Sequence, residues 1–266
     1  TSLSRADADL SDPQSCARII ASHRPSAVIN AAAYTGVDQA EIEEELATVI
    51  NGDAPGAMAV AAVKLDIPFV HISTDYVFDG RATTAWQPDG TTAPIGAYGR
   101  SKLAGEQAVR AAGGPHVILR TAWVFSAHGN NFVKTMLRLG DTHEVLNVVA
   151  DQIGGPTPAR DIAAALMSIS AAMISRPTMS GEYHYSGAPS VSWADFAREI
   201  FAQADRNVTV NNVTTADYPT RARRPGNSVM DCASTLRDFG LAQPDWKDGL
   251  GDVLADLRQA NAEADT

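Results

Sequence analysis

Three short apolar runs punctuate the first half of the chain: Ala27-Val28-Ile29-Asn30, Phe69-Val70-His71-Ile72-Ser73 and Val117-Ile118-Leu119-Arg120. Each is bounded by proline or polar residues and is too short for a stable helix, so each reads as a buried strand. Between them the pattern is helical. One helix is expected from Ser11 or Asp12 to about His23, with Pro13 at an early position where a missing N–H costs nothing. Others are expected from about Ala54 to Leu65 and from Tyr98 to Arg110, the latter stopped by Gly113-Gly114-Pro115. Strand, helix and strand recurring at about 40-residue spacing predict an α/β fold with a doubly wound parallel sheet.

The last third is patterned differently. Glu182-Tyr183-His184-Tyr185-Ser186 alternates as a strand does, and the stretch from Trp193 to Ala204 carries a helical stripe of Phe196, Ala197, Ile200 and Phe201. A loop rich in Pro and Arg follows from Tyr218 to Ser228, and a final helix is expected from Trp246 to about Ala260. These elements predict a smaller α+β lobe: residues 1–125 form one domain, and 126–266 are mainly the second, partly interleaved with the first. No repeat or low-complexity linker separates them, so the two are expected to pack closely.

Composition narrows the class. Of 266 residues, 45% are hydrophobic and 20% charged, as in a soluble globular protein. The formal net charge of −10 argues against a nucleic-acid surface, yet leaves room for a phosphorylated ligand held by a few local donors. Cys16 and Cys232 are the only cysteines and stand far apart, which fits a reducing compartment and neither a disulfide framework nor a metal site. Apolar runs stay below the roughly 18 residues a membrane span needs, and Thr1 to Leu10 lacks a signal-peptide layout. A cytoplasmic enzyme is expected.

The densest chemical signal is Tyr98-Gly-Arg-Ser-Lys102. Residues four apart on a helix share a face. A phenol can donate a proton to a developing alkoxide, and a nearby ammonium is expected to lower its pKa and ease proton shuttling. With six tyrosines and four lysines (Lys64, Lys102, Lys134, Lys247), chance predicts roughly 0.09 such pairs. Spacing alone still leaves an ordinary helix-surface pair as an equal reading. Ser73-Thr74-Asp75-Tyr76-Val77-Phe78 ends a predicted strand, where ligands of open α/β sheets bind, and a hydroxyl there can orient a substrate carbonyl. Taken alone, Thr74 and Asp75 read more readily as turn caps than as a site. Asn30-Ala31-Ala32-Ala33 ends the preceding strand with side chains small enough for a flat cofactor to approach. The three elements fall in chain order at successive strand ends or on the next helix, and together they predict a hydride-transfer site.

At these residues the sequence resembles the extended short-chain dehydrogenase/reductase superfamily, and within it the dTDP-4-dehydrorhamnose reductase family. The resemblance rests on the runs from Asn30 to Glu41, His71 to Gly80 and Tyr98 to Glu106, and on Arg120-Thr-Ala-Trp123-Val-Phe. Gly129-Asn-Asn-Phe132, Asp151-Gln-Ile-Gly-Gly-Pro-Thr157 and Arg223-Arg-Pro-Gly-Asn227-Ser228 extend it over almost the whole chain. It implies a Rossmann-type nucleotide-binding domain with a smaller substrate-binding lobe, and reduction of the C4 ketone of dTDP-4-dehydro-L-rhamnose to dTDP-L-rhamnose, a surface-polysaccharide precursor. By the family pattern, Tyr98 gives the proton, Lys102 holds the ribose and tunes Tyr98, and Thr74 positions the carbonyl. The cofactor side is implied for Arg5, Asp9, Leu10, Asn30, Ala31, Ala32, Ala33, Tyr34, Asn51 and Ser73, with Tyr98 and Lys102. The substrate side is implied for Thr74, Asp75, Tyr76, Trp123, Asn131, Arg223 and Asn227.

The family's Gly-rich pyrophosphate turn has no counterpart upstream of Ala27; the resemblance implies that about thirty residues, including the first strand and that turn, precede Thr1. NADPH is preferred over NADH because Arg5 stands where a 2′-phosphate would be met. Some members bind Mg2+ through an acid just after the Pro-Thr segment; here Pro158-Ala159-Arg160-Asp161 has Arg at that place, and no metal is expected. A nucleotide-sugar substrate is expected, with no nucleic-acid or membrane partner, and a homodimer is left open. Two other readings stand beside this one. One is an epimerase or dehydratase of the superfamily, of which a dehydratase would usually carry an acid where Tyr76 follows Asp75. A non-catalytic subunit, such as the regulatory subunit of methionine adenosyltransferase that the fold also resembles, would not need Thr74, Tyr98 and Lys102 together. His71 reads as a core histidine, and the acidic run Glu41 to Glu45 as a solvated helix face.

Overall fold

The computed structural model describes residues 1–176 and 178–264. Four parallel strands form its central sheet in the order Val28–Asn30, Phe69–Thr74, His116–Thr121 and Gly181–His184. The first three match the predicted runs. The fourth falls on the alternating stretch in the last third, so the chain returns to the central sheet late.

Helices cover both faces. On one, Pro13–His23, Ala54–Lys64 and Ala97–Ala112 enclose a cluster of Cys16, Ile20, Met58, Phe69, Val109 and Ile118. On the other, Ala159–Ser175 packs Ile162, Leu166, Ile169 and Met173 against Val70, Val117 and Leu119. The period-two alternation of the strands therefore sorts the sheet: Val70 and Ile72 face one helix layer, while Phe69, His71 and Ser73 face the other. The first helix begins as expected, with Asp12 accepting a hydrogen bond from Ser15 N at 2.9 Å and Pro13 in its first turn.

One expectation is corrected. Glu44–Thr48, the wide π turn Val49–Asp53 and Ala54–Lys64 join into one 21-residue helical stretch, and an 18-residue window within it, with a mean hydropathy of 1.3, makes it long and apolar enough to cross a bilayer by length and composition. Half of that window is buried, and Met58, Ala59 and Ala62 pack against Cys16, Ile20 and Val109. Its small apolar residues let neighbouring helices approach; Gly56, for one, lies where a Cβ would meet Ala108 Cβ at 2.8 Å.

The remaining elements build a second core. Phe132–Gly140, Trp193–Gln203 and Trp246–Ala264 gather Val133, Phe196, Ile200, Phe201, Trp246 and Leu250 around short parallel strands, Val145–Val149 with Thr209–Val213. Ser192 caps the Trp193 helix by accepting from Asp195 N at 3.0 Å.

Candidate active site

The carboxyl ends of the central strands converge on the Ala97–Ala112 helix. That helix is held close: a Cβ on Gly105 would lie 2.0 Å from the Asn51 carbonyl oxygen, and one on Gly99 would lie 2.2 Å from that of Tyr76. Its first turn has no cap of its own. Instead Glu41 accepts a hydrogen bond from Ala97 N at 2.8 Å, and Glu44 takes a two-point contact from Arg100 at 2.7 and 2.8 Å. Glu43 accepts from the Tyr34 hydroxyl at 2.6 Å. The acidic run is therefore not merely a solvated face: Glu43 closes the 34–45 segment on itself, and Glu41 and Glu44 tie it to the start of the helix that carries Tyr98.

Tyr98 and Lys102 follow on the first turns of this helix. The Tyr98 ring meets Tyr76 edge-on, with centroids 5.4 Å apart. Its phenol pKa is raised, first by burial and next by the Asp75 carboxylate, while the neighbouring Thr74 hydroxyl pulls the other way. The lowering expected from Lys102 is not realised in this arrangement. The Lys102 ammonium is 2% exposed, donates to the Ile72 carbonyl oxygen at 2.6 Å and lies 3.3 Å from His71 Nε2. Burial pulls its own pKa down to about 8. His71 is buried and kept neutral by desolvation and by Lys102, and its Nδ1 lies 3.1 Å from Asn30 Nδ2. Asn30 and His71 meet because they are register partners on adjacent strands.

Thr74 ends its strand in the position expected. Its hydroxyl accepts from Tyr76 N at 3.2 Å and donates to Asp75 at 2.9 Å. Asp75 turns into the protein instead of toward an open face: it is 2% exposed, and its second carboxyl oxygen accepts from the Ser228 hydroxyl. Burial raises its pKa to about 6, against the lowering effect of Ser228 and Thr74.

The other expected site residues divide. Asn51 uses its side chain to clamp Tyr34, accepting from its N–H at 2.8 Å and donating to its carbonyl at 3.0 Å, and also donates to Ser101. It sits in the π turn, a distortion that often marks functional positions. Ser73 donates to Glu106 at 2.6 Å, so its hydroxyl serves a buried ion pair on the helix side of the sheet. Ala31 and Ala32 are exposed just beyond the strand end. Arg5 is exposed, 3.5 Å from Asp9, and Leu10 packs at the edge of the first core. Trp123 adopts a left-handed backbone, φ 51°, and stacks on Trp193 at 3.5 Å, bridging the sheet and the second core. Asn131 caps the Phe132 helix. Asn227 spends its amide on the Ala82 and Thr84 carbonyls and accepts from Val229 N, so it acts as a tie between loops. Arg223 is exposed and lines, with Arg81, Tyr218 and Arg224, a cavity of about 480 Å³.

Several working residues were not singled out from the sequence. Arg224 donates to Asp38 at 2.8 Å and Asp38 also accepts from Ala222 N, strapping the Pro- and Arg-rich loop to the segment after Tyr34. Both lie inside quoted motifs, but 186 residues apart, and no local pattern pairs them. Trp193 and the pairing of Ser228 with Asp75 were likewise hidden by sequence distance.

A parallel sheet covered by helices on both faces, with a tyrosine and a buried lysine one helical turn apart beside its strand ends, has the layout of a nicotinamide-dependent reductase of Rossmann type. The comparisons narrow this class. The family described as RmlD substrate binding domain matches residues 1–259. A dTDP-4-dehydrorhamnose reductase of Sinorhizobium fredii is 45% identical over 252 residues, which are 92% of this chain and 85% of the relative. Among solved structures, the dTDP-4-dehydrorhamnose reductase of Bacillus anthracis in complex with NADP is 38% identical, with a TM-score of 0.88 over 96% of this chain and 89% of that one. One from Clostridium acetobutylicum gives 37% identity and the same TM-score over the same shares. The chain belongs to the dTDP-4-dehydrorhamnose reductase family.

Proposed function

We propose that this protein reduces the C4 ketone of dTDP-4-dehydro-L-rhamnose to dTDP-L-rhamnose, using NADPH with NADH as the alternative donor. The reading is supported by Thr74 and Tyr98 as neighbours at the carboxyl end of the sheet, with Lys102 one turn further along the same helix, in a chain of this family. NADPH is favoured because the Bacillus anthracis relative was solved with NADP and because Arg5 is exposed near the expected adenine side.

The residues fit a nicotinamide nucleotide. The Lys102 ammonium has three hydrogens and two protein neighbours, Ile72 O and His71, which leaves a donor for a ribose hydroxyl. Ala31 and Ala32 present only methyl groups at the strand end, so a ring can lie against the backbone. When bound, the nicotinamide supplies the hydride. The rest is the work of side chains. Thr74 orients the ketone, and Tyr98, its phenol kept protonated by burial, gives its proton to the developing alkoxide. Trp123 walls the sugar, and the exposed Arg223 beside Arg81 offers charge to the diphosphate.

Residues 1–125 are read as the nucleotide-binding domain and 126–266 as mainly the substrate lobe. The separate core around Phe196 and Trp246 supports this, with Gly181–His184 as the interleaved strand. Two buried, unpaired cysteines support a cytoplasmic location.

The direct test is substrate-dependent NADPH oxidation by the full-length protein given dTDP-4-dehydro-L-rhamnose; no turnover overturns the reading. In the same assay Lys102→Ala is expected to weaken NADPH binding and to lower kcat together. The wild-type enzyme should also lose NADPH affinity as pH rises through about 8, where the ammonium is discharged.

A further inference from the structure

Thr74 has one hydroxyl proton and more than one claimant for it. In the structure that proton goes to Asp75, at 2.9 Å, while the Thr74 oxygen accepts from Tyr76 N. The hydroxyl is also a near neighbour of the Tyr98 phenol. A ketone lying against Tyr98 needs the same proton if Thr74 is to orient it. As long as Asp75 is a carboxylate, binding the ketone means taking a hydrogen bond away from a buried anion, which is costly. A protonated Asp75 has the opposite polarity. Its own O–H can donate to the Thr74 oxygen, and the Thr74 proton is then free to turn outward.

We propose that Asp75 is a positioning residue that couples ketone binding to the uptake of one proton, because its carboxylate and the ketone compete for the single Thr74 hydroxyl proton. This rests on the reductase reading and deepens it. The bonding is balanced: Asp75 gains a proton from solvent, the Thr74 O–H···Asp75 bond becomes Asp75 O–H···Thr74, and no other group changes charge. This proton is separate from the one Tyr98 gives to the alkoxide, and it returns to solvent when the ketone's product leaves and Asp75 reclaims the Thr74 hydrogen bond.

The surroundings leave Asp75 able to titrate near neutrality. It is buried, which raises its pKa to about 6, and the two hydroxyl donors Thr74 and Ser228 hold it down. The other ionisable groups facing this corner are the Tyr98 and Tyr76 phenols, both shifted up in part by Asp75, with Arg224 and Asp38 beyond Tyr76. The sign follows from the raised pKa: the acid form, which releases Thr74, gains as pH falls through about 6.

Two measurements test the proposal. In steady state, kcat/KM for the ketone should fall about tenfold per pH unit above about 6, while kcat at saturating ketone stays level until Lys102 discharges. Asp75→Asn should abolish that slope, since an amide does not titrate. Ser228→Ala removes a donor that stabilises the carboxylate, and should move the inflection to higher pH. Calorimetry of ketone binding to the NADPH complex of Tyr98→Phe, in two buffers of unlike ionisation heat, should read close to one proton taken up per ketone at neutral pH. A wild-type kcat/KM with no such slope, an inflection unmoved in Ser228→Ala, or ketone binding without proton uptake overturns the proposal and leaves the reductase intact. Failure of the ketone to bind or turn over at any pH overturns the reductase reading itself.

Discussion

Tyr98→Phe is expected to lower turnover by roughly 10²–10⁴-fold, the range that a positioned general acid contributes, while NADPH affinity barely changes. The substitution removes one oxygen and leaves the ring, which keeps its edge contact with Tyr76. Lys102 is held by the Ile72 carbonyl and His71, neither of which involves the phenol, so the ammonium should stay where a ribose would meet it. Thr74 keeps Asp75 and Tyr76 N as partners. What is lost is the proton. Because burial and Asp75 raise the phenol's pKa, wild-type Tyr98 stays protonated throughout the neutral range, and the reduction should not lose its acid there. The check is a pair of measurements, kcat with saturating ketone and the NADPH dissociation constant from fluorescence titration. Near-normal kcat in the variant would remove Tyr98 from the role; a large loss of NADPH affinity would mean that the phenol holds the cofactor too.

Much of this site is local in sequence, which is why it was legible there. Tyr98 and Lys102 share a helix face by spacing alone, and Thr74 follows directly from the end of an apolar run. The strands were legible for the same reason, as short runs bounded by breakers. What spacing does not carry is which distant residues complete the site. Asp75 is satisfied by Ser228, 153 residues on, and Arg224 by Asp38, 186 residues back, through loops whose paths depend on the packing of the second core. That Lys102 does not lower the Tyr98 pKa was illegible on similar grounds. Its position on the helix was clear, but the carbonyl and histidine that claim its hydrogens belong to a strand whose facing could be known only once the register was set. The long apolar stretch from Glu44 to Lys64 was missed because charged and polar residues break its sequence into short runs, while the helix joins them.

Glu106→Ala is expected to destabilise the fold by about 3–5 kcal/mol, the cost of breaking a fully buried ion pair from one side. Glu106 is 0% exposed and Arg120 2%, and they meet through two near-parallel bonds of 2.8 and 2.7 Å. Register places them: Arg120 pairs with Ser73 on one neighbouring strand and His184 on the other, so a polar row crosses the sheet beneath the Ala97–Ala112 helix. Arg120 has further partners in the Pro88 carbonyl, at 2.8 Å, and the face of Phe78, at 5.0 Å. None of these carries a compensating charge, so removal of Glu106 leaves a buried guanidinium unpaired and also deprives Ser73 of its acceptor. Urea unfolding should show the loss, and Glu106→Leu combined with Arg120→Met should recover much of it, because two apolar groups do not leave a charge stranded. An Ala variant within about 1 kcal/mol of wild type would mean that water or a shifted side chain reaches Arg120. The effect should also reach the chemistry: Ser73 directly precedes Thr74, so loosening its strand end frees the hydroxyl that orients the ketone, and kcat/KM should fall further than the unfolded fraction alone explains.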